Sequence, residues 1–362
     1  MKGMNSIRTG TALMTMRSLA IDTDEDISST RPNCRLVSTH SPASIERLQM
    51  ANNFEHTPVL ASEVVDLFAD LPVGVLVDAT LGGGGHAELL LDAAPESRLI
   101  GIDRDVVARH AAGERLARFG ERVRIVPGTF GDLVGILERE SGFVNGAPIV
   151  GILADLGVSS PQLDDAARGF SFRSDAPLDM RMDQTSGMTA AEFLLEVDAQ
   201  ELTRLLREHG EGRFAGAISR SIISSAPRTT SELVAAVERA VPPAARRRGH
   251  VATRVFQALR VSVNDEESQL DSMLESAIAH VSAGGVVVVI SYHSGEDKVV
   301  KKVFATAATG GCTCPSELGC VCGAVPIMRV LKASAVLATS DEIERNPRSR
   351  SARLRAAWKL SA

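Results

Sequence analysis

The sequence lacks the marks of a membrane, secreted or broadly basic protein. Its 362 residues include five cysteines, too few in so long a chain for a disulfide scaffold. No uninterrupted apolar run approaches the ~18–20 residues that span a bilayer. Lys2 and Arg8 lie near the start, but Thr, Arg and Ser interrupt Thr11 to Ile21. The compact apolar stretch and small-residue cleavage site of a signal peptide are therefore missing. Lysine and arginine number 39 against 45 aspartates and glutamates, a net charge of −6. No diffuse basic field carries partner binding, so any nucleic-acid contact must come from local clusters. These absences leave a reduced, soluble, cytoplasmic protein with no membrane partner as the expectation. At 44% hydrophobic content the chain is globular, and its length suits two domains or one large domain with an insertion.

Residues 1–54 show no sustained periodicity and read as a flexible tail rich in Ser, Thr, Asn, Asp and Arg. Met50, just before the first organised segment, is a candidate translation start. Buried-type strands are expected at Val75–Asp78, Arg98–Asp103, Val123–Val126 and Ile149–Leu156, alternating with helical text. Continuous apolar strands separated by helices mean βαβ units and a parallel sheet covered on both faces. The alternation then stops. From about 163 to 265 the pattern is loops and amphipathic helices, with Ala190 to His209 placing Phe193, Leu194, Leu202 and Leu206 near one face. Strand text returns at Gly285–Ser291, with further candidates at Ile327–Lys332 and Arg353–Lys359. Residues 55–162 and 266–362 thus read as one α/β domain interrupted by a helical insertion over 163–265.

The run Asp78-Ala79-Thr80-Leu81-Gly82-Gly83-Gly84 falls at a strand-to-helix turn, where glycines let backbone approach a ligand closely. A P-loop is excluded because no Gly-Lys-Ser/Thr follows. Gly82, Gly84 and Ala87 satisfy a dinucleotide fingerprint, and Asp103 ends the next strand about 20 residues on, where a carboxylate can accept from ribose hydroxyls. That pair suits NAD and S-adenosylmethionine equally well.

Asp78, just ahead of the glycines, resembles the first motif of class I S-adenosylmethionine-dependent methyltransferases. Further motifs are more specific: Asp155-Leu156-Gly157-Val158-Ser159-Ser160-Pro161-Gln162, Arg168-Gly169-Phe170-Ser171-Phe172 and Pro177-Leu178-Asp179-Met180-Arg181-Met182. With His56-Thr57-Pro58-Val59-Leu60, Ser291-Tyr292-His293-Ser294 and Asn346-Pro347-Arg348-Ser349-Arg350-Ser351, they resemble the bacterial ribosomal RNA small-subunit methyltransferase H family, also called MraW. The resemblance runs from about Glu55 to Leu360. It implies a Rossmann-like sheet with an inserted all-helical domain. It also implies S-adenosylmethionine-dependent methylation of N4 of one cytidine in the decoding region of 16S rRNA. The partner would be that rRNA in the small subunit or a late assembly particle, with the oligomeric state left open, a homodimer included. By motif, the cofactor contacts fall on Gly84, Gly85, His86, Asp103, Phe130, Asp155 and Gln162. Tyr292 and Gly295 stand in a stretch that more often reads Phe-His-Ser-Leu-Glu-Asp, a departure expected to touch substrate positioning and spare the cofactor site.

Local chemistry points the same way. Cytosine N4 is a poor nucleophile, and a carboxylate that accepts from N4–H can hold it in line with a methyl donor. Asp155, at the carboxyl end of a central strand, is the candidate catalytic residue. No aromatic follows it in its loop, so a target base must stack elsewhere: Phe170, Phe172 and Tyr292 are candidates, with His293 nearby, while core packing competes for the two phenylalanines. A dehydrogenase lacks support, because Tyr292 is the sole tyrosine and no Tyr-x-x-x-Lys pair exists. A silent RNA-binding factor is disfavoured by the intact Gly82–Gly85, Asp103 and Asp155. His293-Ser294 beside Asp297 could suggest a hydrolase, but adjacent residues in extended chain face opposite ways. Cys312, Cys314, Cys320 and Cys322 form two C-x-C pairs. Four cysteines suit tetrahedral zinc, but the spacing is not the usual one, so a structural metal and a reduced loop both stay open and no metal ligand is assigned. Arg246-Arg247-Arg248 and the arginines from Arg345 to Arg355 are candidate phosphate contacts or plain solvated faces.

Overall fold

The central parallel strands form where apolar side chains are buried at nearly every position, as a sheet covered on both faces requires. The edge strand at Val123–Pro127 buries only Val126. In a computed structural model, β1 (Val75–Asp78), β2 (Arg98–Asp103), β3 (Val123–Pro127), β4 (Ile149–Asp155) and β5 (Val286–Ser291) run parallel in the order β3-β2-β1-β4-β5. β6 (Met328–Val330) and β7 (Val336–Leu337) both pair antiparallel with β8 (Arg353–Lys359), which itself pairs antiparallel with β5. The structure describes residues 58–243, 251–315, 321–332 and 334–361. The expected tail, Met50, His56, Thr57, the Arg246-Arg247-Arg248 run and Cys320 lie outside the described residues. Asn53–Ala362 cluster as one compact unit, and no helix among the described residues is long and apolar enough to cross a membrane.

Two layers of helices cover the sheet. Along one face, Leu76, Leu99, Val286, Val288 and Ile290 pack with α1 (Ala61–Phe68), α2 (Gly85–Ala93) and α3 (Val106–Leu116). On the other, Val77, Ile100, Ile102, Val287 and Val289 meet Leu133 and Ile136 of α4 (Leu133–Arg139) and residues of two later helices. β4 breaks the simple alternation. Its pairing with β1 slips between Val75↔Ile149 and Leu76↔Gly151. Val150 and Gly151 therefore both face the α1 side, a bulge that puts two consecutive residues on one face. The Phe68 ring occupies the space a side chain at Gly151 would need.

Between β4 and β5 lie α5 (Ala190–Glu196), α6 (Ala199–Glu208), α7 (Ala215–Ser225), α8 (Thr230–Ala240) and α9 (Val251–Val263). Their inward residues, including Leu194, Leu206, Ile218, Ile222, Leu233 and Val255, form an apolar cluster of their own. The single helical face expected over 190–209 belongs to two helices. Val197 is extended, and the Asp198 side chain accepts from Gln200 and Glu201 N–H, starting a new helix. Two helices not anticipated complete the second layer: α10 (Glu266–His280), contributing Leu270, Met273 and Leu274, and α11 (Ser294–Thr309), contributing Val300 and Phe304.

Gly151→Ala should displace the Phe68 ring and cost about 1–3 kcal/mol, the usual range for overpacking a filled core. Urea denaturation measures this; stability equal to wild type would show that the ring moves aside freely.

Candidate active site

The topological switch of the sheet lies between β1 and β4, and a cleft of about 860 Å³ opens there at the carboxyl ends of the strands. The first wall is the turn after β1. Gly82 takes φ +51° and donates its N–H to Asp103 Oδ2 at 2.8 Å. Asp103 Oδ1 accepts from Asp105 N–H, also at 2.8 Å. Each carboxyl oxygen is thus fixed by one backbone donor and keeps lone pairs toward the cleft. Burial pushes the Asp103 carboxyl up to about 6, against the lowering effect of the Asp105 and Gly82 N–H groups. Asp78, almost fully buried, is pushed up to about 7 by burial, partly offset by His86 and the Thr80 N–H.

Asp155 ends β4. Its N–H donates to Thr80 Oγ1 at 2.6 Å, its Oδ1 accepts from the Tyr292 hydroxyl at 2.8 Å, and its Oδ2 lies 3.5 Å from His86 Nε2. Burial, and then the Asp155 charge, hold the Tyr292 phenol well above its ordinary value, so it remains an O–H donor. Both ring nitrogens of buried His86 lack a hydrogen-bond partner, a vacancy that a polar ligand would satisfy. His293 caps α11: its Nδ1 accepts from Glu296 N–H at 3.4 Å. Its Nε2 lies 2.8 Å from Glu296 Oε1, a close polar contact without the alignment of a hydrogen bond. Although burial pushes Glu296 up, His293 and Arg260 hold its carboxyl below the ordinary value.

Of the residues singled out in the sequence, Gly85, His86, Asp103, Phe130, Asp155, Gln162, Phe170, Phe172, Tyr292 and His293 all line the cleft. Gly84 does not. It caps α2 at φ +78°, and a Cβ there would press on Ala112 and Leu116 at 3.3 Å, so its requirement is helix packing. Gly82 and Gly83 line the cleft in its place. At Gly85 a Cβ would meet Pro58 Cγ at 2.8 Å, which keeps the turn open only for glycine. Both ends of Gln162 are engaged within the protein: Nε2 donates to Asp105 Oδ2 and Oε1 accepts from Ser159 N–H, each at 3.0 Å. Phe170 belongs to the helical core as well as the cleft, and Phe172 packs edge-on against Phe256 at 5.1 Å. The Tyr292 departure reaches further than substrate positioning, because its hydroxyl bonds Asp155 itself. The His293-Ser294 pair sits at a helix start with the His293 ring engaged by Glu296, which removes the hydrolase arrangement for a reason other than extended-chain geometry.

Sequence reasoning missed the residues that brace this wall. Asp105 is buried, and its Oδ2 accepts from Arg168 Nη1 at 2.8 Å; Arg168 also donates to the carbonyls of Arg181 and Met182. Asn264 closes the same loop, donating to Met180 O and accepting from Met182 N–H, both at 2.8 Å. Arg168 stood inside a quoted motif, but nothing in its spacing pointed to Asp105.

A Rossmann-like parallel sheet continued past β5 by antiparallel β8, with a glycine turn after β1 and carboxylates ending β2 and β4, is the framework of class I S-adenosylmethionine-dependent methyltransferases. The chain belongs to the MraW methylase family, whose model matches residues 53–360. It is 49% identical over 314 residues to the ribosomal RNA small subunit methyltransferase H of Geobacter sulfurreducens, covering 85% of this chain and 99% of that protein. The protein of the same name from Symbiobacterium thermophilum is 45% identical over 316 residues, covering 85% and 98%.

Arg168→Met should leave the Asp105 carboxylate buried without its cation and cost about 3–5 kcal/mol, the range for breaking one side of a buried pair. Chemical denaturation tests it. A loss below about 1 kcal/mol would mean that water replaces the guanidinium as at an exposed pair.

Proposed function

We propose that this protein methylates the exocyclic N4 of one cytidine in the decoding region of 16S rRNA, with S-adenosylmethionine as donor. The observation that carries this reading is Asp155, facing the cleft at the end of β4 between Tyr292 and His86. The names of the relatives support small-subunit rRNA as the partner; we take the acceptor to be that rRNA in the subunit or in a late assembly particle.

The residues present fit the donor. Asp103 would accept from ribose hydroxyls on the lone pairs that Gly82 and Asp105 leave open, and Phe130 would stack beside the adenine. The Gly82–Gly85 turn would admit the chain of the cofactor at backbone distance, His86 would find its missing partner there, and Gln162 would brace the far wall. When bound, the cofactor supplies an electrophilic methyl group on a sulfonium.

The protein's own work is at the amine. Cytosine N4 shares its lone pair with the ring, and it must lose one proton as its new N–C bond forms. Asp155 Oδ2 would accept the hydrogen bond from N4–H and then that proton, while Tyr292 holds Oδ1 in place. Phe170 and Phe172 would border the extruded base. We also read residues 163–265 as the inserted helical domain that carries this RNA-facing side, with Arg348 and its neighbours near the cleft mouth contacting phosphate.

The direct test is tritium transfer from S-adenosylmethionine to 30S subunits from a strain lacking this enzyme, followed by nucleoside analysis. N4-methylcytidine is expected; a methyl on carbon or ribose, or none, would overturn the reading. Asp103→Ala should weaken cofactor binding by about 1–3 kcal/mol, as loss of a charge-assisted acceptor does. The Asp103 carboxyl, raised to about 6, takes up its proton as pH falls through that value. Wild-type affinity should therefore drop between about pH 8 and about pH 5, and the alanine variant should lose that dependence. Calorimetry at both values decides it; unchanged affinity in a folded variant would remove Asp103 from the cofactor. Asp155→Asn keeps size but removes the charge, and turnover at saturating cofactor should fall by ~10²–10⁴-fold. If saturating cofactor restores the wild-type single-turnover rate, Asp155 only holds the donor.

A further inference from the structure

The described residues of the loop joining α11 to β6 line no part of the cleft and bury no apolar side chain of their own. Its described residues are exposed or half-buried, with Val321 and Val325 largely in solvent. Yet the chain is pinned at both ends on the last turn of α11. Gly310 (φ +63°) caps the helix, Gly311 N–H donates to Thr306 O at 2.9 Å, and Ile327 N–H donates to Ala307 O at 2.9 Å. The returning strand passes so close to Gly310 that a Cβ there would overlap the Val325 backbone. This closure brings together residues that the sequence spacing keeps apart. The sulfurs of Cys312, Cys314 and Cys322 all lie within 4.8 Å of one another.

We propose that Cys312, Cys314 and Cys322 bind a zinc(II) ion through their sulfurs, stapling this loop against the end of α11. Three sulfurs on one tetrahedral zinc stand about 3.8 Å apart, given Zn–S bonds of ~2.3 Å, so the cluster needs only a small contraction to close on the metal. A disulfide would use two of the three and leave the third beside it without function. Soft thiolates in a tetrahedral arrangement select zinc over the hard, oxygen-seeking cations. Each thiol gives up its proton to solvent as its sulfur bonds the metal, so loading releases protons and weakens at low pH. A short segment whose described residues bury no apolar side chain is where a metal contributes most to order. Cys320 lies outside the described residues, and the proposal rests on the other three alone.

The test uses the untagged full-length chain, purified under reducing conditions. Elemental analysis should find one zinc per chain. After chelation, titration with cobalt(II) should give the thiolate-to-cobalt charge-transfer band and the intense visible bands of a tetrahedral site. Cys312→Ser, Cys314→Ser and Cys322→Ser should each lower cobalt affinity at least tenfold, with far-UV circular dichroism unchanged to show that the fold persists. In the wild-type protein, chelation alone should speed proteolytic cleavage between α11 and β6, and zinc should reverse it. The proposal fails if the reduced protein binds cobalt without the charge-transfer band. It also fails if bound zinc is unchanged in the serine variants.

Discussion

The buried pair of Asp105 and Arg168 is the constraint on which the site depends. Asp105 does two jobs that pull on different parts of the chain. Its Oδ1 caps α3 by accepting from Val107 N–H, and its Oδ2 holds Arg168 and Gln162, which follow β4. A buried carboxylate is tolerable only when its acceptor sites are filled, so the loop after β4 is held against the β2–α3 turn. Arg168 passes the constraint on through the carbonyls of Arg181 and Met182, and Asn264 receives it at the end of α9. Met180 takes φ +62° within this knot, a strained conformation for a side chain that surrounding bonds must enforce.

The cleft carries an electrostatic tension that a packed core would not. Asp78 and Asp103 both sit at strand ends where burial raises their carboxyls to about 7 and about 6. Each therefore binds its proton more tightly folded than unfolded. Between the ordinary carboxylate range near 3.8 and those raised values, the native state holds more protons, so the two groups make stability fall as pH rises through that window. Above about 7 the full cost of two buried charges is present. A cationic ligand at the same place relieves that cost, which is what the proposed sulfonium donor would bring. Stability is spent where binding can recover it.

The sheet was the most legible part of the chain because its strands are buried on both faces. Val286–Ser291 cannot be read as anything half-exposed, and acids mark the carboxyl ends of β1, β2 and β4. What escaped was decided by contacts distant in sequence. Asp198 restarts a helix inside what reads as one amphipathic face, since a cap leaves little trace in periodicity. Gly84 belongs to a glycine run whose members are alike in sequence but divided in space between the cleft and α3. The C-x-C pairs have the wrong local spacing for a metal, and only the return of the chain past Gly310 sets Cys322 beside Cys312 and Cys314. The candidate site was legible in its residue types; its bracing was not.

That bracing explains why a helical segment between β4 and β5 serves the chemistry proposed for the sheet. The segment leaves the sheet just after Asp155 and returns to it before Tyr292, so both ends abut the same cleft. Arg260 of α9 reaches back across the gap, bonding Glu266 at 2.8 and 3.0 Å and approaching Glu296 at 3.6 Å. Glu296 Oε2 in turn accepts from Tyr292 N–H at 2.8 Å, and the Tyr292 hydroxyl bonds Asp155. A series of polar contacts, joined through the Tyr292 side chain, thus runs from the helical segment to the carboxylate at the end of β4. Each link is oppositely charged or hydrogen-bonded and at least partly shielded from water, so it resists displacement more than an exposed pair would. A ligand that moved the helices would have to move Arg260, and Arg260 is tied to the group that sets the position of Asp155.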